Sequence, residues 1–279
     1  MGKPYLKHGR ARRILRAALA AFVALYLLPL GTHALWRLYQ HDQASSWSTA
    51  NWSSAGLLPA PSTHPEAVVR IYAARAGRWR GIVAHHSWIV LKEEGASAYT
   101  RFDKVGWGTP VRENGWVPDG RWFSQEPETI VAIDGPEAER LIARIRDAIA
   151  RYPYATRGGY RAWPGPNSNT FVAWIARQVP ELRAVLPSNA IGRDWAPGAF
   201  DFGPTTSGEG IRLSFGGYAG FALGKSDGLE LNLLGLVAGL EPLRLGVKLP
   251  GWGDLRLLPL RAPDQTKTTA RDADGGLHR

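Results

Sequence analysis

The stretch Pro164-Gly165-Pro166-Asn167-Ser168-Asn169-Thr170-Phe171 decides how the chain folds, because it closes a turn and opens an apolar helix. Its two prolines cannot lie inside a helix, whereas Val172, Ile175 and Val179 recur at helical spacing after it. Ser168 is therefore predicted at a helix N-terminus, where free backbone N–H groups and the helix dipole stabilise a developing anion. The same position suits an N-cap, so the stretch alone allows a nucleophile or a cap.

The N-terminal 36 residues predict a membrane anchor. Residues 1–16 form a basic tail with six Lys or Arg and no acid, and residues 17–36 carry no formal charge. About 20 such residues cross a bilayer, and the basic flank predicts a cytoplasmic N-terminus with the domain on the periplasmic side of the inner membrane. A cleaved signal peptide is the alternative, because Thr32-His33-Ala34 resembles a small-residue cleavage site.

Composition narrows the function classes. Six positive charges of the net +10 lie in the tail, and no dense Lys/Arg stripe follows, so nucleic acid is not an expected partner. The chain has no cysteine, which excludes disulfides, thiolate metal sites and a cysteine nucleophile. We expect no metal and no cofactor.

Residues 37–66 and 261–279 predict segments outside the folded body. The first is rich in Ser, Ala, Pro and Trp and predicts a linker that lifts the domain off the membrane. Its Trp47 and Trp52 fit either the lipid interface or packing on the domain. The polar C-terminal tail is expected to be disordered.

Residues 67–260 predict one α+β domain with an antiparallel sheet, two main helices and a C-terminal β-meander. The first sheet draws on β-rich runs at 67–73, 81–91, 98–105 and 129–133. A helix follows Pro136, and the helix after Ser168 ends before Pro180. The meander runs from 211 to about 258 and is very apolar; we expect its apolar side chains inside the domain, with membrane or partner contact as the alternative.

His85 and His86 are the two histidines of the folded body, and both lie on one predicted strand. Alternation places His86 and Trp88 on one face, and His85 and Ser87 on the other, so one of the two is expected to meet Ser168. A strand histidine facing a helix-start serine makes a base and nucleophile pair. An ordinary hydrogen-bonded histidine is the alternative.

The order of these motifs resembles the circularly permuted papain-like proteins, including the NlpC-like relatives grouped with lecithin retinol acyltransferase. Their Asn-Cys-x-x-Phe-Val motif corresponds to Asn167-Ser168-Asn169-Thr170-Phe171-Val172, with serine in place of cysteine. The resemblance implies Ser168 as nucleophile and His86 as base, with Tyr99, Thr100 or Arg101 on the next strand as the group that orients the base. It also implies an oxyanion held by N–H groups near Asn169.

The body also resembles an uncharacterised bacterial family of membrane-anchored proteins. The stretches that carry this likeness are His86-Ser87-Trp88-Ile89, Asp119-Gly120-Arg121-Trp122-Phe123, Trp163 to Phe171, and Glu230-Leu231-Asn232-Leu233-Leu234-Gly235-Leu236, with shorter ones at 72–75 and 99–101. This family has no assigned activity.

Two functions follow from these patterns. One is a degenerate papain-like cleft in an exported cell-envelope protein that binds a cell-wall, lipid or envelope-protein ligand, with Asn167, Asn169 and Trp163 as binding residues. The other is a Ser168/His86 hydrolase or acyltransferase acting on peptide, cell-wall or acyl-lipid substrates. The replacement of cysteine by serine favours binding, because serine needs a strongly coupled base and an oxyanion hole.

Overall fold

A long N-terminal helix precedes the folded body. The computed structural model describes residues 5–40 and 44–258. The helix comprises Tyr5–Phe22 (α1), one π-helical turn at Val23–Leu27, and Leu28–Tyr39 (α2). Its 31-residue portion Gly9–Tyr39 is long and apolar enough to cross a membrane.

The first sheet has five antiparallel strands. They are Val68–Arg75 (β1), His85–Lys92 (β2), Thr100–Lys104 (β3), Val111–Glu113 (β4) and Glu128–Asp134 (β5). The spatial order is β4-β3-β2-β1-β5, and Ile71 of β1 pairs with Ile89 of β2 on one side and Val131 of β5 on the other. The residues at 81–84, expected at the start of β2, instead form the end of a short 3₁₀ segment and a turn.

Two helices cover one face of this sheet. Gly135–Ala150 (α3) and Ser168–Gln178 (α4) place apolar stripes against β1 and β2, so that Ile89, Ile145 and Phe171 share one buried core. The helices end where the sequence predicts, since Pro180 cannot continue α4. The α+β class with antiparallel sheets is thus confirmed.

The opposite face carries a second, aromatic core. Tyr72, Trp88, Trp122 and Phe123 pack there against the segment predicted as a linker, which includes Trp52. Trp47 stacks on Trp52 with ring centroids 4.8 Å apart. These two tryptophans therefore pack on the domain.

The domain also lies directly against the long helix. The Trp252 Nε1 donates to Thr32 Oγ1 at 3.1 Å, and Arg37 Nη1 donates to Gln125 Oε1 at 3.1 Å. His33 is fully buried at this contact. Residues 37–66, predicted as a linker, therefore do not hold the domain away from this helix, because side chains of the helix itself bond to the domain.

The second sheet is a seven-stranded antiparallel meander. Its strands are Asp201–Pro204 (β6), Gly210–Phe215 (β7), Ala219–Gly224 (β8), Gly228–Leu233 (β9), Leu236–Glu241 (β10), Gly246–Leu249 (β11) and Gly253–Arg256 (β12), in sequential order. The run 229–237, predicted as one strand, is two strands because Leu234 and Gly235 adopt positive φ and reverse the chain.

Most of the large apolar side chains of this meander face away from the body. Phe215, Leu223 and Leu240 are each about half exposed, whereas Glu230 and Lys248 are buried. The expectation that the apolar runs are buried inside the domain is therefore wrong, because the strand alternation turns charged residues inward. The disorder expected for 261–279 lies outside the described residues.

Candidate functional site

A cavity of about 300 Å³ lies where the start of β2 meets the start of α4. Ser168, His85 and His86 all line it, together with the aromatic side chains of Trp122 and Tyr160. Although the two histidines point to opposite faces of β2, His85 is its first residue, and the cavity reaches around that strand end. The fold thus brings together the nucleophile and base positions expected from the sequence.

Asn167 fixes the start of α4. Its Oδ1 accepts the backbone N–H of Asn169 at 2.9 Å and of Thr170 at 3.1 Å, and Thr170 Oγ1 accepts the Asn167 N–H in return. The Asn167 Nδ2 donates to the carbonyls of Ala162 and Ile191. Asn167 is therefore the N-cap, and Ser168 is the first residue inside the helix.

Two polar groups of Ser168, the hydroxyl and the backbone N–H, have no partner among the described residues. Ser168 is only 3% exposed, yet within the described part of the chain its hydroxyl has no hydrogen-bond partner. Its backbone N–H has no acceptor there either, because Asn167 Oδ1 takes the next two N–H groups of the helix. The expected oxyanion donors near Asn169 are thus occupied, and the Ser168 N–H is the donor that faces no partner.

Asn169 joins the helix to β2. Its Oδ1 accepts from Ser87 Oγ at 2.8 Å, and its Nδ2 donates to the carbonyls of His85 and Ile191. All the hydrogen-bonding capacity of the Nδ2 group is used within the protein. Asn169 therefore positions Ser168 against the strand, and both donors of its side-chain amide are committed within the protein.

His86 is held by a buried carboxylate. The Nε2 atom lies 2.8 Å from Asp103 Oδ1, and Arg101 binds the same carboxylate through Nε at 2.7 Å and Nη2 at 2.9 Å. An ionised carboxylate only accepts hydrogen bonds, so Nε2 carries the proton and Nδ1 keeps its lone pair. His86 therefore has the tautomer of a general base, with Asp103 as its orienting group.

The surroundings of His86, Asp103 and Arg101, which we call the buried trio, set the charge states of the imidazole and the carboxylate. The His86 ring stacks on Trp122 with centroids 3.7 Å apart, and the Arg101 guanidinium lies 4.0 Å from the Trp88 ring centroid. Burial lowers the pKa of His86, and the hydrogen bond and charge of Asp103 partly offset that effect. Burial raises the pKa of Asp103, but Arg101 and the hydrogen bond from His86 outweigh it, so the net shift is downward. Near neutral pH the imidazole is neutral and the carboxylate ionised.

His85 lies on the face of β2 that α4 covers. Its Nδ1 is buried without a hydrogen-bond partner among the described residues. Burial, followed by the charge of Arg75, lowers its pKa to about 3. His85 is thus a neutral imidazole whose Nδ1 stays unpaired within the described part of the chain.

No hydrogen bond joins Ser168 to either histidine within the described residues. His86 is committed through Nε2 to Asp103, on the far face of the sheet from α4. The serine and both histidines therefore line one cavity, but the hydrogen bond from serine to histidine that activates a serine nucleophile is not formed among the described residues.

The remaining predicted site residues serve the fold. The Tyr99 hydroxyl donates to the Pro59 carbonyl at 3.0 Å, and Thr100 pairs with Leu91 in the sheet, so neither touches His86. Arg101 acts on His86 indirectly, because it donates hydrogen bonds to the Asp103 carboxylate that holds the His86 ring. Trp163 lies outside the cavity lining, where its Nε1 donates to the Leu234 carbonyl at 2.8 Å.

Asp103 is the site residue that the sequence interpretation missed. It lies on β3 within the predicted run 98–105, two residues after Arg101, and strand alternation places both on one face. A carboxylate beside an arginine on the strand next to His86 was the available signal. Among residues 5–40 and 44–258, no group of three or more His, Cys, Asp or Glu side chains is arranged to hold a metal ion.

Residues 66–195 match the model of a family described as "Protein of unknown function (DUF3750)". The match covers the five-stranded sheet, α3, α4 and most of the cavity, and it ends before the seven-stranded sheet. It agrees with the expected resemblance to an uncharacterised family. Searches of curated proteins and of solved structures gave no match.

Proposed function

We propose that this chain is a membrane-anchored cell-envelope protein, N-terminus in the cytoplasm and domain outside, that binds a ligand in the Ser168 cavity. The helix at Gly9–Tyr39 supports the anchor, and its basic N-terminal flank supports the orientation. A permuted papain-like ancestry accounts for the His86 strand, the Ser168 helix and the order in which they occur.

The lining of the cavity carries this proposal. Aromatic rings, among them Trp122 and Tyr160, form its walls, and the exposed Arg78 and Arg80 belong to the same lining. Within the described residues neither arginine is in an ion pair. Flat aromatic walls with two guanidinium groups that have no carboxylate partner among the described residues suit a sugar or peptide that carries a carboxylate. A fragment of the cell wall, with sugar rings and peptide carboxylates, has that chemistry.

Binding fits the site better than catalysis. The Ser168 hydroxyl has no base in hydrogen-bond contact, and a serine is a weak nucleophile without one. Asn167 and Asn169, expected from the sequence as binding residues, hold α4 against β2, so the proposed ligand contacts are the aromatic walls together with Arg78 and Arg80.

Titration of the full-length protein in detergent with a disaccharide-tripeptide cell-wall fragment tests the proposal. Quenching of tryptophan fluorescence reports occupation, because Trp107 and Trp122 line the cavity. We expect saturable quenching that Ser168→Phe abolishes by filling the cavity and that Ser168→Ala preserves. Replacing both Arg78 and Arg80 by Gln is expected to weaken binding by about tenfold or more.

The matched control is Arg157→Gln, an exposed arginine away from the cavity, which is expected to bind like the wild type. Absence of saturable quenching in the wild type, or equal weakening by Arg157→Gln, contradicts this ligand class.

A Ser168/His86 hydrolase or acyltransferase is the second candidate, favoured by the hydrogen bond between His86 and Asp103. Its test is labelling with a serine-directed fluorophosphonate. Catalysis requires labelling of the wild type that Ser168→Ala removes and that His86→Gln reduces by about a hundredfold or more. Labelling that survives Ser168→Ala rules this candidate out.

A further inference from the structure

In the seven-stranded sheet, apolar residues face outward and charged residues face the body of the domain. One row of residues across its outer face, neighbours in register from β7 to β12, consists of Ile211, Leu223, Leu229, Leu240, Val247 and Leu255. Every member is apolar, and Leu223 and Leu240 are 50% and 51% exposed. Soluble sheets with one solvated face place polar residues there, so this face needs an apolar environment.

The adjacent row points inward, and four of its six residues are charged. It consists of Arg212, Ala222, Glu230, Gly239, Lys248 and Asp254. Lys248 is fully buried and pairs with both Glu230 and Glu241, and Glu230 also pairs with Arg193 from the body of the domain. These inward-facing charges are paired with one another, so turning the charged face toward solvent would break buried ion pairs. Apolar-out and polar-in alternation is the pattern of strands that face lipid.

The membrane-spanning helix lies against this sheet. Tyr26 Oη donates to the Leu231 carbonyl at 2.9 Å, and the π-helical turn at Val23–Leu27 contacts β10. Tyr26 is buried there, while the other side of the helix, including Leu25 and Leu28, stays exposed.

The position of Tyr26 along the helix sets the depth of the sheet. Tyr26 lies nine residues after Ala17 and ten before Trp36, the ends of the uncharged run. At 1.5 Å per residue it is about 13 to 15 Å from each end, near the middle of a bilayer core about 30 Å thick. Strands β9 and β10, which contact it, therefore lie within the depth of the apolar run of the helix.

We propose that the outer face of the seven-stranded sheet lies against the acyl chains of the leaflet on the domain side, next to the helix. Its strands have four to six residues, fewer than the ~9–11 that span a membrane. The sheet is therefore immersed on one face and does not cross. The domain is then held by the helix and by this apolar face together.

The absence of cysteine makes the test direct, because any introduced cysteine is the sole labelling site. Full-length variants Leu223→Cys and Leu240→Cys carry an environment-sensitive fluorophore and are reconstituted in phosphatidylethanolamine and phosphatidylglycerol nanodiscs. Leu57→Cys is the matched control, because Leu57 is an exposed apolar residue outside the seven-stranded sheet whose backbone N–H donates to Asp119. Leu19→Cys, exposed on the helix, reports whether the helix itself is in the membrane.

We expect lipids with brominated acyl chains to quench the labels at 223, 240 and 19 several-fold more than the label at 57. Aqueous iodide is expected to show the reverse order. Lipid quenching at 19 but not at 223 and 240 overturns the proposal and leaves the anchor intact. Labels at 223 and 240 protected from both quenchers indicate a second copy or a protein partner on this face, which also overturns it.

The proposal takes from the proposed function only that the helix is in the membrane, and it does not depend on the cavity. Lack of lipid quenching at position 19 overturns the anchor and this inference together. Failure of the cell-wall fragment to bind leaves the quenching result unaffected.

Discussion

The Nε2 atom of His86 lies 2.8 Å from Oδ1 of Asp103, with the Asp103 side chain fully buried and that of His86 nearly so. Arg101 closes the trio from the other side of the carboxylate and is itself fully buried. A buried charge is tolerated when it is paired and hydrogen-bonded. Here the Asp103 carboxylate accepts hydrogen bonds from both His86 and Arg101, so the positions of these two side chains depend on it.

Asp103→Asn is expected to reduce the free energy of unfolding by about 3 kcal/mol, because Arg101 loses its buried counter-charge. Denaturant unfolding monitored by circular dichroism measures it. Asp147→Asn is the control: Asp147 forms an exposed pair with Arg151 on α3, so its loss is expected to cost less than about 0.5 kcal/mol. Equal effects of the two substitutions contradict the assignment of Asp103 as a buried counter-ion.

The stability of the protein is expected to fall as pH is lowered from about 6.5 toward 3, in part through His85. The pKa of His85 is lowered to about 3 in the folded state, so the unfolded chain binds more protons over this range. His85→Gln removes that contribution, and the difference in melting temperature between variant and wild type is expected to shift in favour of the variant as pH falls. A difference that stays constant from pH 7 to pH 4 shows that His85 is protonated equally in both states.

Asn167→Ala is expected to cost about 2 kcal/mol of stability, because it removes the cap of α4 and the Nδ2 hydrogen bonds to the carbonyls of Ala162 and Ile191. The matched control is Asn51→Ala, where an exposed asparagine accepts one backbone N–H from Ser53. That change is expected to cost less than about 1 kcal/mol. Thermal unfolding of the two variants, compared at one pH, measures both effects. Similar losses of stability in the two variants contradict the assignment of Asn167 as the residue that holds the start of α4 in place.

Lys104→Met is expected to stabilise the protein by about 1–3 kcal/mol. Lys104 is fully buried, and its Nζ has no hydrogen-bond partner among the described residues. Burial lowers its pKa, so the gain is expected to shrink as pH rises toward 10.5, the ordinary value. Denaturant unfolding is the measurement, with the exposed Lys225→Met as a control that is expected to change little. Destabilisation by Lys104→Met indicates that this ammonium has a partner in solution.

The sequence predicted the positions of helices and strands well, but it did not predict which side chains of neighbouring elements contact one another. The apolar spacing after Ser168 and the prolines around it were sufficient for α4, and the β-rich run at 98–105 contained β3. The choice of orienting residue failed because alternation gives the face of a residue on its own strand but not which neighbour lies across from it. Asp103 and Arg101 share a face, and only the packing of β3 beside β2 puts the carboxylate on His86.

The apolar meander shows the same division. Its alternation between leucines and charged residues is legible in the sequence, but the alternation fits either direction, charges out or charges in. Arg193, which comes from the body of the domain and pairs with Glu230, decides the direction, since a buried carboxylate needs a counter-charge.

The sequence by itself determined an apolar N-terminal helix, an α+β body and a serine at the start of a capped helix, because each depends on residues close together in the chain. The tertiary structure alone decided that both histidines share a cavity with Ser168, that Asp103 holds His86, and that the second sheet turns its leucines outward. These relationships join residues far apart in the chain, whose contacts are set by packing and by the pairing of buried charges rather than by local pattern.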